Sequence, residues 1–183
     1  MSNALLPLFP LQVVMLPGTP MPLHIFEDRY KEMIGEAIST STEFGIVQAG
    51  EKGILNIGCS VTVEKVVESY EDGRMDIIVR GRRRFEIVLL DEEKSYLRGS
   101  VQFFDDEEGS DAPNDLRAMA IAGLTALRSA DDSEDIYIPD SRDPQLSFRV
   151  AWFITDLVLR QTLLGLRSEA ERLRQLNAFL PEY

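Results

Sequence analysis

One histidine, one cysteine and one dense run of arginines are the residues of this 183-residue sequence with obvious chemistry to offer. His24 has the side chain of a general base or a ligand. A catalytic base needs a nucleophile and an orienting partner, and no such set is recognisable around it. Its place between Leu23 and Ile25 fits a structural hydrogen-bonding role better. Cys59 follows Gly58 at a strand start, where a small buried thiol is expected. A single cysteine forms no internal bridge, and one thiol with one imidazole builds no metal cage. No Gly-x-x-x-x-Gly-Lys-Ser/Thr phosphate loop occurs, and none of the four lysines (Lys31, Lys52, Lys65, Lys94) follows a glycine-rich cradle. No catalytic residue, cofactor or metal site is expected.

Arg80, Arg82, Arg83 and Arg84 form the dense basic run. Arginines can meet phosphate. Yet 31 acidic against 19 basic residues give a formal charge of -12, a field that repels nucleic acid and anionic lipid. No aromatics are interleaved with the arginines for base stacking, and strand alternation would split them between two faces. DNA is therefore excluded as a partner, RNA is disfavoured, and pairing with nearby acidic loops is the simpler expectation. Trp152 could line a pocket, but in so apolar a stretch a core position is expected. Pro7, Pro10, Pro17, Pro20 and Pro22 resemble a polyproline ligand only in composition; turns that thread the first strand explain them better.

The elements that must carry these residues fall into two regions. Hydrophobic residues make up 44% and charged residues 27%, the balance of a globular protein able to bury a core without disulfides. Met1 to Leu16 lacks a basic start and is interrupted by prolines, unlike a secretory signal. Phe148 to Leu164 is too short and too charged for a bilayer span. A reducing cytoplasm is the expected setting, with no membrane partner.

Up to about Asp105 the pattern is that of strands. Phe44 to Gln48 and Leu97 to Phe104 read as strands. Ser60 to Glu68 alternates and then slips phase at Val66, which predicts a bulge. Asp72-Gly73 predicts a tight hairpin before Met75, Ile77 and Val79, and the alternation resumes at Phe85, Ile87 and Leu89. Phe26, Tyr30, Met33, Ile34 and Ala37 predict one early helix. Asp105 to Asp111 is wholly acidic among its charges and is expected to be a solvated, mobile loop. Three helices are expected after it: one striped by Leu116, Met119, Ala120, Gly123, Leu124 and Leu127; a central buried one running from Asp143-Pro144 through Leu159; and one opened by the capping box Ser168-Glu169-Ala170-Glu171. A second acidic connection is read between Ala130 and Asp143.

Several ordered blocks carry a resemblance. They are Leu6-Pro7-Leu8-Phe9-Pro10-Leu11, Leu16-Pro17-Gly18, Pro22-Leu23-His24-Ile25-Phe26-Glu27 with Arg29-Tyr30, Phe44-Gly45-Ile46-Val47, Gly81 to Ile87, and Arg172-Leu173 to Leu180. In this order they resemble the N-terminal domain of bacterial Lon proteases, also found in single-domain bacterial proteins and in cereblon. The resemblance implies an α+β fold: a PUA-like β pseudo-barrel with one early helix (1–108), then a helical bundle (109–183) of the same domain. It implies a free-standing, non-catalytic module for unfolded or partly folded polypeptides, lacking the ATPase and serine–lysine modules into which the longer proteins continue. A protease or other complex is a possible docking partner. Binding would use an apolar groove where barrel meets helices, or strand addition at an open sheet edge. Arg82, Arg84 and Trp152 are the expected peptide contacts.

Overall fold

The computed structural model describes residues 5–129 and 137–180, and it divides into two compact units at Phe104/Asp105. In the first unit the chain runs β1 (Leu6–Leu11), β2 (Pro20–Ile25), α1 (Asp28–Thr40), β3 (Phe44–Gly50), β4 (Gly53–Ser69), β5 (Met75–Asp91) and β6 (Arg98–Phe104). The strands are ordered β2-β5-β4-β3-β1-β6, and β5 also pairs with β6, so five of them close into a ring. Among the described strand pairs only β1 and β3 are parallel. The expected slip at Val66 is real: the β4–β5 register shifts between Val63 and Lys65 and again between Val66 and Glu68. The hairpin is also real, with Gly73 at φ +85° and the Tyr70 N–H donating to the Arg74 carbonyl.

β5 is 17 residues long because it serves two neighbours in turn. Its first part, Met75 to Arg80, pairs with β2, and its second, Arg84 to Asp91, pairs with β6. Gly81 marks the change. A Cβ there would sit 2.1 Å from the Leu16 carbonyl oxygen, so only glycine lets the chain entering β2 cross so close. Around the crossing, the Gly18 N–H donates to the Gly81 carbonyl and the Gly81 N–H to the Thr19 carbonyl. Inside the ring, Leu8, Val47, Phe85 and Ile87 form a core with Leu6, Ile54, Leu97 and Val101 against it. α1 buries Tyr30, Met33, Ile34 and Ala37, as the spacing predicts. Phe26 does not join that stripe: it precedes the extended N-cap Glu27 and is 60% exposed.

The described residues of the second unit form four helices, α2 (Asn114–Ser129), α3 (Leu146–Ala151), α4 (Leu157–Gly165) and α5 (Glu169–Phe179). In α2 the buried face is Arg117, Ala120, Gly123 and Leu124, while Met119 points to solvent. Residues 130–136 of the acidic connection after it lie outside the described residues. The single central helix expected through Leu159 is in fact broken between α3 and α4. Asp156 caps α4 by accepting from the Leu159 N–H, and the Arg160 guanidinium donates to the Trp152 carbonyl and to that of Ala151, which also accepts from the Ile154 N–H. Ser168 caps α5 as its sequence predicts, by accepting from the Glu171 N–H.

A buried arginine ties this unit together. Arg172 has no solvent exposure, lies over the Phe148 ring, and donates to both carboxylate oxygens of Asp106, to Glu169, to Ser147 Oγ and to the Leu166 carbonyl. Glu169, itself buried, accepts from the Ser147 N–H and hydroxyl. The acidic stretch after Asp105 is therefore anchored rather than mobile: Asp106 grips Arg172, and the Glu107 N–H donates to the Arg167 carbonyl. Replacing Arg172 by Met should cost about 3–5 kcal/mol, since it strands the Glu169 carboxylate in the interior. Urea denaturation would measure the loss, and a second change, Glu169→Gln, should recover part of it.

Candidate functional site

The sheet offers one strand edge with both apolar cover and exposed backbone. β3 accompanies β4 only as far as the pair Phe44–Val61. From Thr62 to Ser69, β4 has β5 on one side and no described strand on the other. The register says which backbone groups face outward. Because the Gly81 N–H reaches Thr19, alternation turns Met21, Leu23 and Ile25 toward β5, and their partners Val79, Ile77 and Met75 toward β2. Arg80, Ile78 and Asp76 then face β4, opposite Thr62, Lys65 and Glu68. Val63, Val66 and Ser69 are left with N–H and C=O aimed away from the sheet. The two bulges fit three residues of β4 to two of β5, so these outward groups recur at the repeat of an ordinary strand.

Beside this edge lies a groove of about 260 Å³ lined by Ala37, Ile38, Ser41, Thr42, Thr62, Val63 and Val66. α1 ends there. Its cap Ser41 is left-handed at φ 54°, and the Ser41 and Thr42 N–H groups answer the carbonyls of Ile38 and Ala37. The last turn of α1 carries no basic residue. Ile38, Val66 and Val67 are all substantially exposed. The site is thus an apolar trough with a row of backbone donors and acceptors on one wall. Its lining carries hydroxyl and apolar side chains and no carboxylate, imidazole or thiol.

The opposite edge of the same sheet is of another kind. On β2, the residues facing away from β5 are Pro20, Pro22 and His24, and a proline has no N–H to give. That edge presents one donor where β4 presents three.

The residues singled out by sequence lie in different surroundings. Arg82 is exposed on β5, whereas Arg84 is buried with its guanidinium 4.8 Å from the Phe104 ring centre. Arg83 lies 5.1 Å over Phe103, and Arg80 pairs with Glu64 and donates to the Gly18 carbonyl. The basic run is therefore dispersed among aromatic, carboxylate and carbonyl partners. Trp152, in the second unit, is 41% exposed where a core position was expected, because the break after Ala151 turns it outward beside Phe153, 5.0 Å away. Sequence reasoning missed the β4–α1 groove. The phase slip at Val66 was its signal, but only the early end of β3 makes that slip an edge.

His24 belongs to a surface cluster. Its Nδ1 is 2.6 Å from Asp76 Oδ1, the Tyr70 hydroxyl donates to Asp76 Oδ2 at 2.7 Å, and the Phe26 ring stacks on the imidazole. Among the described residues, no serine, threonine or cysteine side chain hydrogen-bonds to them. The Tyr70 hydrogen bond, with that of His24, holds the Asp76 carboxyl below the usual range, and the same bond to Asp76 pushes Tyr70 up to about 12. Cys59 is fully buried, and burial pushes its thiol up to about 12, the inert state expected of a core cysteine. Among the described residues no group of acids, thiol and imidazole is placed to hold a metal ion, and no helix is long and apolar enough to cross a membrane.

A carboxyl held low contributes stability above its unfolded pKa and loses it as the pH falls. Wild-type protein should therefore lose stability on acidification below about pH 4 more steeply than the Asp76→Asn variant. Urea midpoints at pH 7, 5 and 3 would compare the two, and parallel profiles would show that the cluster contributes nothing to acid sensitivity.

Comparison with known proteins places this architecture. The Lon protease of Parabacteroides distasonis and that of Flavobacterium johnsoniae are each 26% identical to the chain over 123 residues, which is 62% of this chain and 15% of theirs. The matched part thus spans only about 15% of the length of these curated relatives. Among solved structures, a Lon N-terminal domain protein from Xanthomonas campestris has a TM-score of 0.77 at 24% identity, covering 97% of this chain and 99% of that one. The N-terminal domain of Lon protease from the Mycobacterium avium complex has a TM-score of 0.72 at 20% identity, covering 96% and 97%. These two likenesses establish the α+β fold. A family model described as the ATP-dependent protease La (LON) substrate-binding domain matches residues 5–181, and the chain belongs to that family.

Proposed function

We propose that this chain recognises unfolded or partly folded polypeptides and performs no chemistry on them. What supports the reading is the outer edge of β4: it combines outward backbone groups with an apolar trough, the two things an extended peptide needs and a folded surface seldom offers. Membership of a family described by substrate binding agrees with it. The absence of a recognisable nucleophile–base pair in the sequence, and the burial of the one thiol, agree with a non-catalytic role.

Arg82 and Trp152 are assigned as further peptide contacts. Arg82 is exposed, and its guanidinium can donate to backbone carbonyls of the bound segment. Arg84, buried, supports the strand that presents it. Trp152 offers a rigid, half-exposed ring of the kind that dominates binding energy in interfaces. Handing a bound segment to a larger protease belongs to the same reading. A second reading, an adaptor that docks on a folded partner, draws on Val88, Leu89 and Leu90, an exposed apolar run at the end of β5.

The test is an array of peptides cut from denatured proteins, with folded proteins and RNA as controls. Saturable binding to apolar peptides that changes little with salt is the expected result. Trp152→Ala should then weaken it about tenfold, roughly 1.4 kcal/mol. Binding to no peptide would overturn the proposal and leave the adaptor reading, or RNA if that control bound.

A further inference from the structure

The charges around the β4 edge narrow what can lie in it. At the end of α1 the carbonyls of Ser39 and Thr40 have no donor among the described residues, and no basic side chain stands in the last turn to compensate them. The partial negative charge of a helix C-terminus is therefore presented at the mouth of the groove, where Ser41 and Thr42 line it. Along the strand, Glu64 and Glu68 outnumber Lys65, and Glu71 follows in the turn. Of the nearby acids, Glu64 is paired with Arg80 and Glu36 with Lys94, while among the described residues Glu71 makes no ion pair and Glu68 accepts only from the neutral Tyr70 hydroxyl. The floor, by contrast, is the apolar Ala37, Ile38, Val63 and Val66.

We infer that the β4–α1 groove takes, by strand addition, an extended polypeptide segment in which apolar side chains alternate beside a lysine or arginine. The apolar side chains enter the trough over Val63 and Val66. The backbone pairs with the outward groups of Val63, Val66 and Ser69. The cation lies against the open carbonyls of α1. This rests on the polypeptide-recognition reading and adds to it the site and the class of segment. The β2 edge is excluded as the seat, since Pro20 and Pro22 remove two of its three donors. Acidic apolar segments are disfavoured there by the same carbonyls and by Glu68.

The experiment compares decapeptides with one alternating Leu/Val/Ser centre and flanks of either Lys or Glu, titrated by fluorescence anisotropy against the whole chain. Tightest binding of the Lys-flanked peptide, by about tenfold over the Glu-flanked one, is expected. Methylating alternate backbone nitrogens of the peptide should abolish binding, because it removes the ladder donors. Val66→Arg, an exposed position, should weaken the Lys-flanked peptide about tenfold, and Thr42→Arg should do the same by answering the helix carbonyls. Met119→Arg, on another exposed apolar position, should leave affinity unchanged. Urea midpoints equal to wild type would confirm that both groove variants are folded. If the wild type binds these peptides but neither groove variant, flank charge nor N-methylation alters affinity, the groove assignment is overturned while polypeptide recognition stands. If the wild type binds no peptide of the array, the underlying reading falls and this one with it.

Discussion

Everything in the first unit hangs on β5 having two partners on one side. A strand can change neighbours midway only if something lets another chain pass at the junction. Here it is the missing side chain of Gly81 beneath the Leu16 carbonyl. The first half of β5 then builds a three-stranded lobe with β2 and β4, and the second half helps close the ring through β6. The exposed edge of β4 is a by-product of the same arrangement. β4 must stay beside β5 along both halves, and β3 accompanies it along only one of them. The site is thus geometry left over from closing a barrel with a strand longer than most of its neighbours.

Arginine use follows from the acidity of the chain. With 31 acidic residues to 19 basic ones, carboxylates outnumber the cations that could pair with them. Arg172 exploits this to pin the start of the second unit to α5, and Arg117 spends its donors on the carbonyls of Ala112, Ser141 and Asp143. Arg84 lies against Phe104. Positive charge is consumed in holding loops and strands, so little of it forms a surface that would attract phosphate. The sheet edge consequently stands in a mostly anionic setting.

Much of this is legible in the sequence. Strand alternation, the phase slip at Val66, the Asp72-Gly73 turn, the stripe of α1 and the Ser168 cap are local signals, and each describes what its own neighbours do. The failures share a different cause. Trp152 reads as core because Leu146 to Leu159 is apolar throughout, but the helix stops where Asp156 and Arg160 satisfy the broken backbone, a decision taken by side chains beyond the break. Asp106 reads as solvated because its partner is 66 residues away. The β4 groove was invisible for the same reason: an edge is defined by where another strand ends, and that is a fact about β3.

The prolines of β2 have a consequence for assembly. Three-stranded sheets with two open sides can add copies without limit, each newcomer offering a fresh side to the next. In this lobe one side presents three outward residues with backbone donors, and the other, lacking two of its three donors, does not. Its valency is one. A molecule that paired with a second copy through β4 would use up the only competent side of both, so growth through this lobe ends at a pair. A protein can then keep a sticky strand permanently on display without that strand becoming the repeat unit of a filament.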